Sequence, residues 1–157
     1  MRVLIDYRPA LRERTGVGEY THELVKALAG TIDPGTLDLT VFSSSWSDRL
    51  RLDDPGLGGV RAIDRRVPVR LLNLAWHRLG WPSAEALAGR AFDVTHSPHP
   101  LLLPSRAAAQ VITIHDLSFL DGADPSRSEV RRDYPTLVYT HGHGADRIIV
   151  SSQYAAR

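Results

Sequence analysis

Short apolar runs rich in β-branched residues alternate along this chain with longer segments whose apolar residues recur at helical spacing. The strand-like runs cover residues 2–7, 37–42, 60–63, 92–96, 110–116 and 147–150, and the helical patterns cover residues 17–30, 71–79, 83–88 and 130–141. In such an alternation each helix returns the chain, so that the next strand runs parallel to the last. The pattern predicts an α/β fold with a doubly wound, mostly parallel sheet flanked by helices. We expect residues 1–157 to form one domain, which their length allows.

Composition excludes several classes of protein. Nineteen basic side chains nearly balance eighteen acidic ones, so a nucleic-acid-wrapping protein is not expected. The absence of cysteine rules out disulfides, thiolate metal sites and cysteine nucleophiles. No apolar run approaches membrane-spanning length, and we therefore expect a cytoplasmic protein.

The strand-like run 110–116 ends abruptly in His115 and Asp116. Ligands of open parallel sheets gather outside the carboxyl ends of the strands, where these two side chains fall. His115 and Asp116 are therefore candidate functional-site residues. The alternative, that Asp116 caps a turn and His115 packs beneath it, is about as well supported by spacing alone.

A glycine loop follows the first strand. Gly16 is expected to cap a helix that ends at Gly30, and Gly16, Val17 and Gly18 would then point backbone N–H groups at an anion. Thr21 replaces the last glycine of a dinucleotide fingerprint, so an NAD site is disfavoured. The glycines could also simply fit a loop–helix junction.

His96 and His99 follow another strand with the H-x-x-H spacing of some zinc sites. Pro98 prevents a helix from presenting both rings on one face, and no acidic or thiolate ligand has suitable spacing nearby. We expect a polar rim around a pocket and no metal.

Arginines and tryptophans are concentrated between residues 65 and 82, on a helical pattern that Pro82 should break. Such an element can mark a membrane-surface face or an acceptor channel, but a core stripe is the favoured interpretation. Further along, Ser126 and Glu129 form a capping box, Pro135 predicts a kink or a second helical piece, and residues 153–157 resemble the first turn of a helix.

Taken in order, five segments resemble the N-terminal domain of family-4 retaining glycosyltransferases, which have the GT-B fold. They are residues 5–9 (Ile-Asp-Tyr-Arg-Pro), 15–21 (Thr-Gly-Val-Gly-Glu-Tyr-Thr), 93–96 (Asp-Val-Thr-His), 111–117 (Val-Ile-Thr-Ile-His-Asp-Leu) and 145–151 (Ala-Asp-Arg-Ile-Ile-Val-Ser). The resemblance implies a Rossmann-like domain of a nucleotide-sugar-dependent transferase that needs no metal or other cofactor and acts on a glycan or lipid-linked acceptor.

The resemblance also implies roles for particular residues. Gly16, Val17 and Gly18 would form the donor-diphosphate loop, and His115 would contact the donor sugar, with Asp116 orienting His115 or the acceptor. The acceptor-side residues would be Tyr7, Arg8, His96 and His99.

The family's C-terminal donor-binding domain has no counterpart in residues 1–157, so we expect this fragment to be inactive alone. Contact with the inner face of the membrane is a further expectation. Two alternatives remain open, a stand-alone module that binds glycan or lipid, and half of a GT-B sugar-nucleotide epimerase.

Overall fold

The computed structural model describes residues 1–11, 16–31, 35–115 and 134–153. Six strands alternate with helices: β1 (Arg2–Asp6), α1 (Val17–Thr31), β2 (Asp38–Ser44), β3 (Arg61–Arg65), α2 (Val69–Leu79), α3 (Ala84–Ala88), β4 (Val94–Ser97), β5 (Ala109–Ile114), α4 (Tyr134–Gly144) and β6 (Arg147–Val150). Short 3-10 helices at Arg8–Ala10 and Pro55–Leu57 complete the described elements.

The six strands form one sheet in the order β3-β2-β1-β4-β5-β6, and every neighbouring pair is parallel. This is the strand order of a Rossmann-type sheet, which confirms the predicted α/β fold. The chain leaves β1 toward β2 on one side and returns through β4 on the other. The crevice between the carboxyl ends of β1 and β4 is therefore the topological switch point, and β3 and β6 are the two edges of the sheet.

Alternate residues of the central strands serve two hydrophobic cores, because successive side chains of a strand point to opposite faces. Val3, Ile5 and Tyr7 pack with Val25 of α1, and we call this side the α1 face. Leu4 lies on the other side among residues of α2 and α3, which we call the α2 face; its core also holds Phe42, Leu72, Trp76, Ala84 and Phe92. Residues of α4 pack on this second face, so the sheet is covered on both sides.

Several predicted boundaries need correction. The first helix continues past Gly30 to Thr31, and β2 extends through Ser43 and Ser44, which stay in the ladder beside β3. The second helix ends at Leu79, because Gly80 adopts a left-handed C-cap, before Pro82 is reached. The short helix α3 is capped by Ser83 and closed by Gly89, as its sequence indicates.

The helix α2 is only partly a core element. Leu72 and Trp76 are buried, and such side chains contribute about 2 kcal/mol each through apolar burial. In contrast, Leu71, Leu74 and Leu79 are 59%, 54% and 73% exposed. The core interpretation of this stripe is therefore right for Leu72 and Trp76 and wrong for Leu71, Leu74 and Leu79.

Some predictions fall outside the described residues: Asp116, the capping box of Ser126 and Glu129, and the helical turn expected at 153–157 beyond Gln153. The described part of the next helix begins at Tyr134, with Pro135 in its first turn. Among the residues that the structure describes, none of the helices combines the length and apolar character that crossing a membrane requires.

Candidate active site

Polar side chains gather at the carboxyl edge of the sheet, around the switch point between β1 and β4. Asp6 ends β1, Ser97 ends β4 with His99 just beyond it, and His115 directly follows β5. Ser151, which follows β6, donates a hydrogen bond to the backbone carbonyl of His115 at 2.6 Å. The predicted convergence of strand ends on one edge is what the parallel topology produces. Asp6 and His99 belong to one cluster of side chains and His115 to another, on opposite faces of the sheet.

The first cluster, on the α2 face, consists of Asp6, Arg8, Asn73 and His99, and we call it the Asp6 cluster. The guanidinium of Arg8 donates to both carboxylate oxygens of Asp6, with Nε–Oδ1 at 2.8 Å and Nη2–Oδ2 at 2.5 Å. Its Nη1 donates to the side-chain oxygen of Asn73 at 2.7 Å, and its centre lies 4.4 Å from the ring centroid of Trp76. The side chains of Arg8 and Asp6 are 5% and 0% exposed, so this is a buried, two-pronged ion pair.

His99 completes the Asp6 cluster from the loop after β4. Its Nδ1 lies 3.2 Å from the backbone N–H of Leu101 and accepts a hydrogen bond from it. An accepting Nδ1 carries a lone pair, so the ring proton is on Nε2, which donates to Asp6 Oδ2 at 3.1 Å. Burial alone would raise the pKa of Asp6, but Arg8 and His99 outweigh it and hold that pKa well below its usual range. Asp6 is therefore a permanent anion inside the fold.

The second cluster, on the α1 face, consists of Tyr20, His96, Thr113 and His115, and we call it the His115 cluster. His96 Nε2 lies 2.8 Å from the hydroxyl of Thr113, which also lies 3.5 Å from the hydroxyl of Tyr20 on α1. The ring of Tyr20 meets the imidazole of His115 edge-to-face, with centroids 4.7 Å apart. His115 is thus seated between α1 and the sheet edge.

The two clusters meet at the Pro98 carbonyl. This oxygen accepts a hydrogen bond from Nε2 of His115 at 3.0 Å, while the next residue, His99, belongs to the Asp6 cluster. Because a carbonyl can only accept, Nε2 of His115 carries the proton. Among the described residues no hydrogen bond is made to Nδ1 of His115, which leaves its lone pair for a ligand.

His96 differs from the other two histidines of this edge in its burial. Its residue is 6% exposed, and burial, with smaller contributions from His99 and His115, lowers its pKa from 6.5 to about 4 against the opposing effect of Asp6. At neutral pH His96 is an uncharged hydrogen-bonding group.

The glycine loop brings the start of α1 to the same edge. Gly16 has φ of +54°, a conformation that favours glycine, and its carbonyl accepts the hydrogen bond from Tyr20 N at 3.0 Å. The first N–H groups of a helix have no partner within the helix, and together with the helix dipole they attract anions. Gly16 and the following Val17 and Gly18 therefore stand where an anionic group could be held.

A glycine loop, a helix start and a strand-end histidine on a Rossmann-type sheet occur in many enzymes, and the comparison with known families distinguishes among them. Residues 14–157, nearly the whole chain, match the model of Glycosyltransferase Family 4. The chain belongs to glycosyltransferase family 4. No curated protein and no solved structure gives a significant match. Membership confirms the resemblance described above and supports a glycosyltransferase-type function acting on a sugar donor and an acceptor.

The structure assigns different surroundings to the residues that the family resemblance singles out. His115, His96 and the loop of Gly16, Val17 and Gly18 lie at the carboxyl edge near α1, whereas His99 lies in the Asp6 cluster on the α2 face. The guanidinium of Arg8 donates hydrogen bonds to Asp6 and Asn73. Tyr7 is 1% exposed, and its hydroxyl lies 2.7 Å from Nδ1 of His22. Acceptor contact by Tyr7 and Arg8 stays a prediction, as do the roles of the other site residues; Asp116 lies outside the described residues.

Some residues of this family-4 site were not found from sequence. Asn73, Tyr20 and Thr113 join the clusters through partners 65 and 93 positions away along the chain. His22 links Tyr7 to Asp54, with Nε2 and Oδ2 3.0 Å apart. Tyr20 and Thr113 lie within segments that resemble the family, but no pattern indicated that their side chains join the site, and none pointed to Asn73 or His22.

The histidines of the edge do not converge as metal ligands would. His96 faces Thr113, His99 faces Asp6 and His115 faces the Pro98 carbonyl. No group of three histidine or acidic side chains with the spacing of a metal site occurs in the described ranges. The zinc interpretation of the H-x-x-H spacing gains no support, and independence from metal stays an expectation.

Proposed function

We propose that this chain is the acceptor-binding half of a nucleotide-sugar-dependent retaining glycosyltransferase, which transfers a hexose-type sugar to a glycan or lipid-linked acceptor without a metal. The observation that supports this most directly is His115, whose ring is held by Pro98 and Tyr20 with Nδ1 directed to no described partner. A hydrogen-bond acceptor held in this way suits the hydroxyl of a sugar, which must be oriented without being deprotonated.

The donor diphosphate is proposed to lie at the start of α1. When the bond to the sugar breaks, negative charge accumulates on the diphosphate, and N–H groups already oriented toward it stabilise that charge without reorganisation. The helix α1 is 15 residues long and contributes a partial positive charge at this end. Gly16 and Gly18 allow the backbone itself to approach the phosphate oxygens.

The sugar becomes oxocarbenium-like as the leaving group departs, so a carboxylate beside it could serve as a nucleophile. The buried carboxylate of this edge, Asp6, cannot do so readily, because Arg8 and His99 occupy both of its oxygens. Within the described residues we therefore assign no covalent nucleophile. The proposed contribution of the edge is to position the donor sugar and stabilise charge.

A lipid-linked acceptor is favoured by the outer side of α2. Leu71 and Leu74 are more than half exposed there, as are Leu79 at the end of α2 and Trp81 just beyond it. The segment 65–84 carries four arginines and no acidic residue. Apolar side chains flanked by cations suit an anionic membrane surface. We propose contact of this side with a membrane that presents the acceptor, on the cytoplasmic side.

The remaining nucleotide contacts are proposed to come from a second, C-terminal domain facing this edge across a cleft. The family resemblance supports this, and so does the site itself, in which the described groups suit a phosphate and a sugar hydroxyl. An epimerase would require the same second domain. A stand-alone binding module would not.

The test is His115→Ala in the enzyme completed by its nucleotide-binding domain. We expect turnover to fall by about two orders of magnitude, since a positioned polar contact to the reacting sugar is lost. The free energy of unfolding should change by only about 1 kcal/mol, the value of the hydrogen bond to Pro98. Steady-state kinetics and urea unfolding measure the two quantities.

His143→Ala provides the matched control, because His143 is exposed on α4 and lies in neither cluster. Its turnover should equal that of the wild type. Unchanged turnover in His115→Ala would exclude the proposed role of His115.

A further inference from the structure

We propose that Asp6 and His99 act as a positioning pair that holds the imidazole of His115 in its Nε2–H form by fixing the Pro98 carbonyl. The importance of this for sugar transfer rests on the proposed function, whereas the geometry does not. Neither Asp6 nor His99 would touch the donor sugar in this arrangement.

Asp6 is the residue to which His99 is anchored. It is fully buried at the end of β1, the strand at the centre of the sheet, and Arg8 locks its carboxylate in place through both oxygens. His99 Nε2 donates to Oδ2 of this carboxylate at 3.1 Å. The loop after β4 is therefore attached to β1, an interior strand of the sheet, by a charge-assisted hydrogen bond.

The bond at His99 controls the orientation of the Pro98 carbonyl through covalent geometry. That carbonyl and the backbone nitrogen of His99 belong to the same planar peptide unit, so they turn together. Both Ser97 and His99 precede prolines, which restricts their backbone angles, and Pro98 and Pro100 are buried. His99 Nδ1 also accepts from the backbone of Leu101, which fixes the other end of the turn. These restraints together direct the Pro98 carbonyl toward His115.

The consequence for His115 is a choice between its two neutral forms. With the Pro98 carbonyl 3.0 Å from Nε2, the form with a proton on Nε2 gains a hydrogen bond, and the form with a proton on Nδ1 places two lone pairs against each other. Nδ1 is left as an acceptor for the hydroxyl of the donor sugar. Asp6 and His99 thereby determine which atom of His115 accepts and which donates.

The experiment compares two substitutions of His99, each of which keeps one of its two hydrogen bonds, the bond to Asp6 or the bond from Leu101. In His99→Gln the amide nitrogen can still donate to Asp6, whereas the shorter side chain of His99→Asn can accept from Leu101 but does not reach Asp6. The readout is the tautomer of His115 in the ¹⁵N-labelled chain, from long-range proton–nitrogen NMR spectra at a pH where the ring is uncharged. The signal is assigned by its loss in His115→Gln.

We expect the wild type and His99→Gln to show mainly the Nε2–H form, and His99→Asn to shift the tautomer ratio about fivefold toward Nδ1–H, the equivalent of about 1 kcal/mol. A wild-type ratio retained in His99→Asn would overturn the proposal and show that the prolines alone orient the carbonyl. An Nδ1–H form in the wild-type chain would overturn it without any variant, even if His99→Asn did not fold.

These outcomes are separable from failure of the proposed function. If His115→Ala left turnover unchanged while the NMR result held, His115 would be positioned as described but would not act on the donor. If the tautomer did not respond to His99, the transferase assignment would stand and only the positioning pair would be lost.

Discussion

His96 shows how a single buried side chain makes the stability of this fold depend on pH. The residue is 6% exposed on β4, and among the described residues its hydrogen-bond partner is Thr113 on β5. Burial opposes the charged form, so the pKa of His96 is about 4 in the folded chain and near 6.5 in the unfolded chain. Between these values the unfolded state binds more protons than the folded state. Stability is therefore complete above about pH 6.5 and decreases as the pH falls toward 4.

We predict that the free energy of unfolding decreases between pH 7 and pH 4 by about 3 kcal/mol through His96 alone, as an upper value. Other groups titrate in the same range, so the contribution is isolated with His96→Gln, which keeps an amide donor for Thr113 but cannot gain a proton. Urea unfolding at both pH values measures it. Equal acid sensitivity of the two proteins would show that the pKa of His96 is the same in the folded and unfolded states, which would contradict the prediction.

At the scale of residues, sequence was informative where a side chain follows a strand. His96, His99, His115 and Gly16 were identified in this way, because parallel topology carries every such position to one edge. The partners that orient them were not identifiable, since Asn73 and Thr113 reach the site through contacts that depend on the exact packing of α2 and β5 against the sheet. The burial of Tyr7 was also not evident, because its neighbour His22 is a helical position with no distinguishing pattern.

Among the elements, α2 is unusual in presenting apolar residues on two sides. Leu72 and Trp76 face the core, while Leu71 and Leu74 face outward at about the same level of the helix. Helical spacing identified the element but not the division between its sides, because a helix with apolar residues around most of its circumference has no single apolar stripe. The cost of exposing these leucines is the physical reason to expect a covering partner.

We predict that vesicles containing anionic phosphatidylglycerol bind the wild-type chain, and that replacing Leu71 and Leu74 together by Ser weakens binding at least about tenfold, because each buried leucine contributes roughly 1.5 kcal/mol or more. Folding should be unaffected, since both side chains are more than half exposed. Co-sedimentation measures the binding.

Tyr139→Ser is the control for this experiment, because Tyr139 is 71% exposed on α4 and is not one of the residues proposed to contact the membrane. Vesicles of neutral phosphatidylcholine test the part played by the arginines. Equal binding of the wild type and the double variant would exclude α2 as the contact.

Element boundaries were predicted less well than the elements themselves. Gly30 was expected to end α1 and Pro82 to end the second helix, yet α1 continues to Thr31 and Gly80 ends α2. Glycine in a helix is a modest penalty that packing can offset, whereas glycine in a left-handed cap stabilises the end. Sequence alone does not distinguish these two uses of glycine.

For the whole molecule, the alternation of strands and helices was sufficient to predict the sheet, because right-handed crossovers leave few arrangements for such a chain. The same topology places the described site groups on one side of the proposed donor. The edge supplies the helix start and the histidines from a single side, and a sugar nucleotide requires groups on both sides to exclude water and hold the base.

We therefore predict that the 157-residue chain alone shows negligible transfer from any sugar nucleotide and binds these donors more weakly than millimolar. Calorimetry with uridine, guanosine and adenosine diphosphate sugars measures the binding, with the His115→Ala chain as the control for any heat specific to this site. Micromolar donor binding by the isolated chain would contradict the proposed division of the site between two domains.

The two edges of the sheet have opposite characters. The outer strand β3 carries Arg61, Asp64 and Arg65, and charged side chains on an edge discourage other strands from pairing with it. The outer strand β6 instead presents Ile148 and Ile149, which are 45% and 42% exposed. Arg147 is the charged residue of this strand. An additional strand, whether from this polypeptide or from another molecule, would therefore join at β6. The edge at β6 is more open to pairing with another strand than the edge at β3. Fusion partners and affinity tags are therefore better attached near β3 than beside β6.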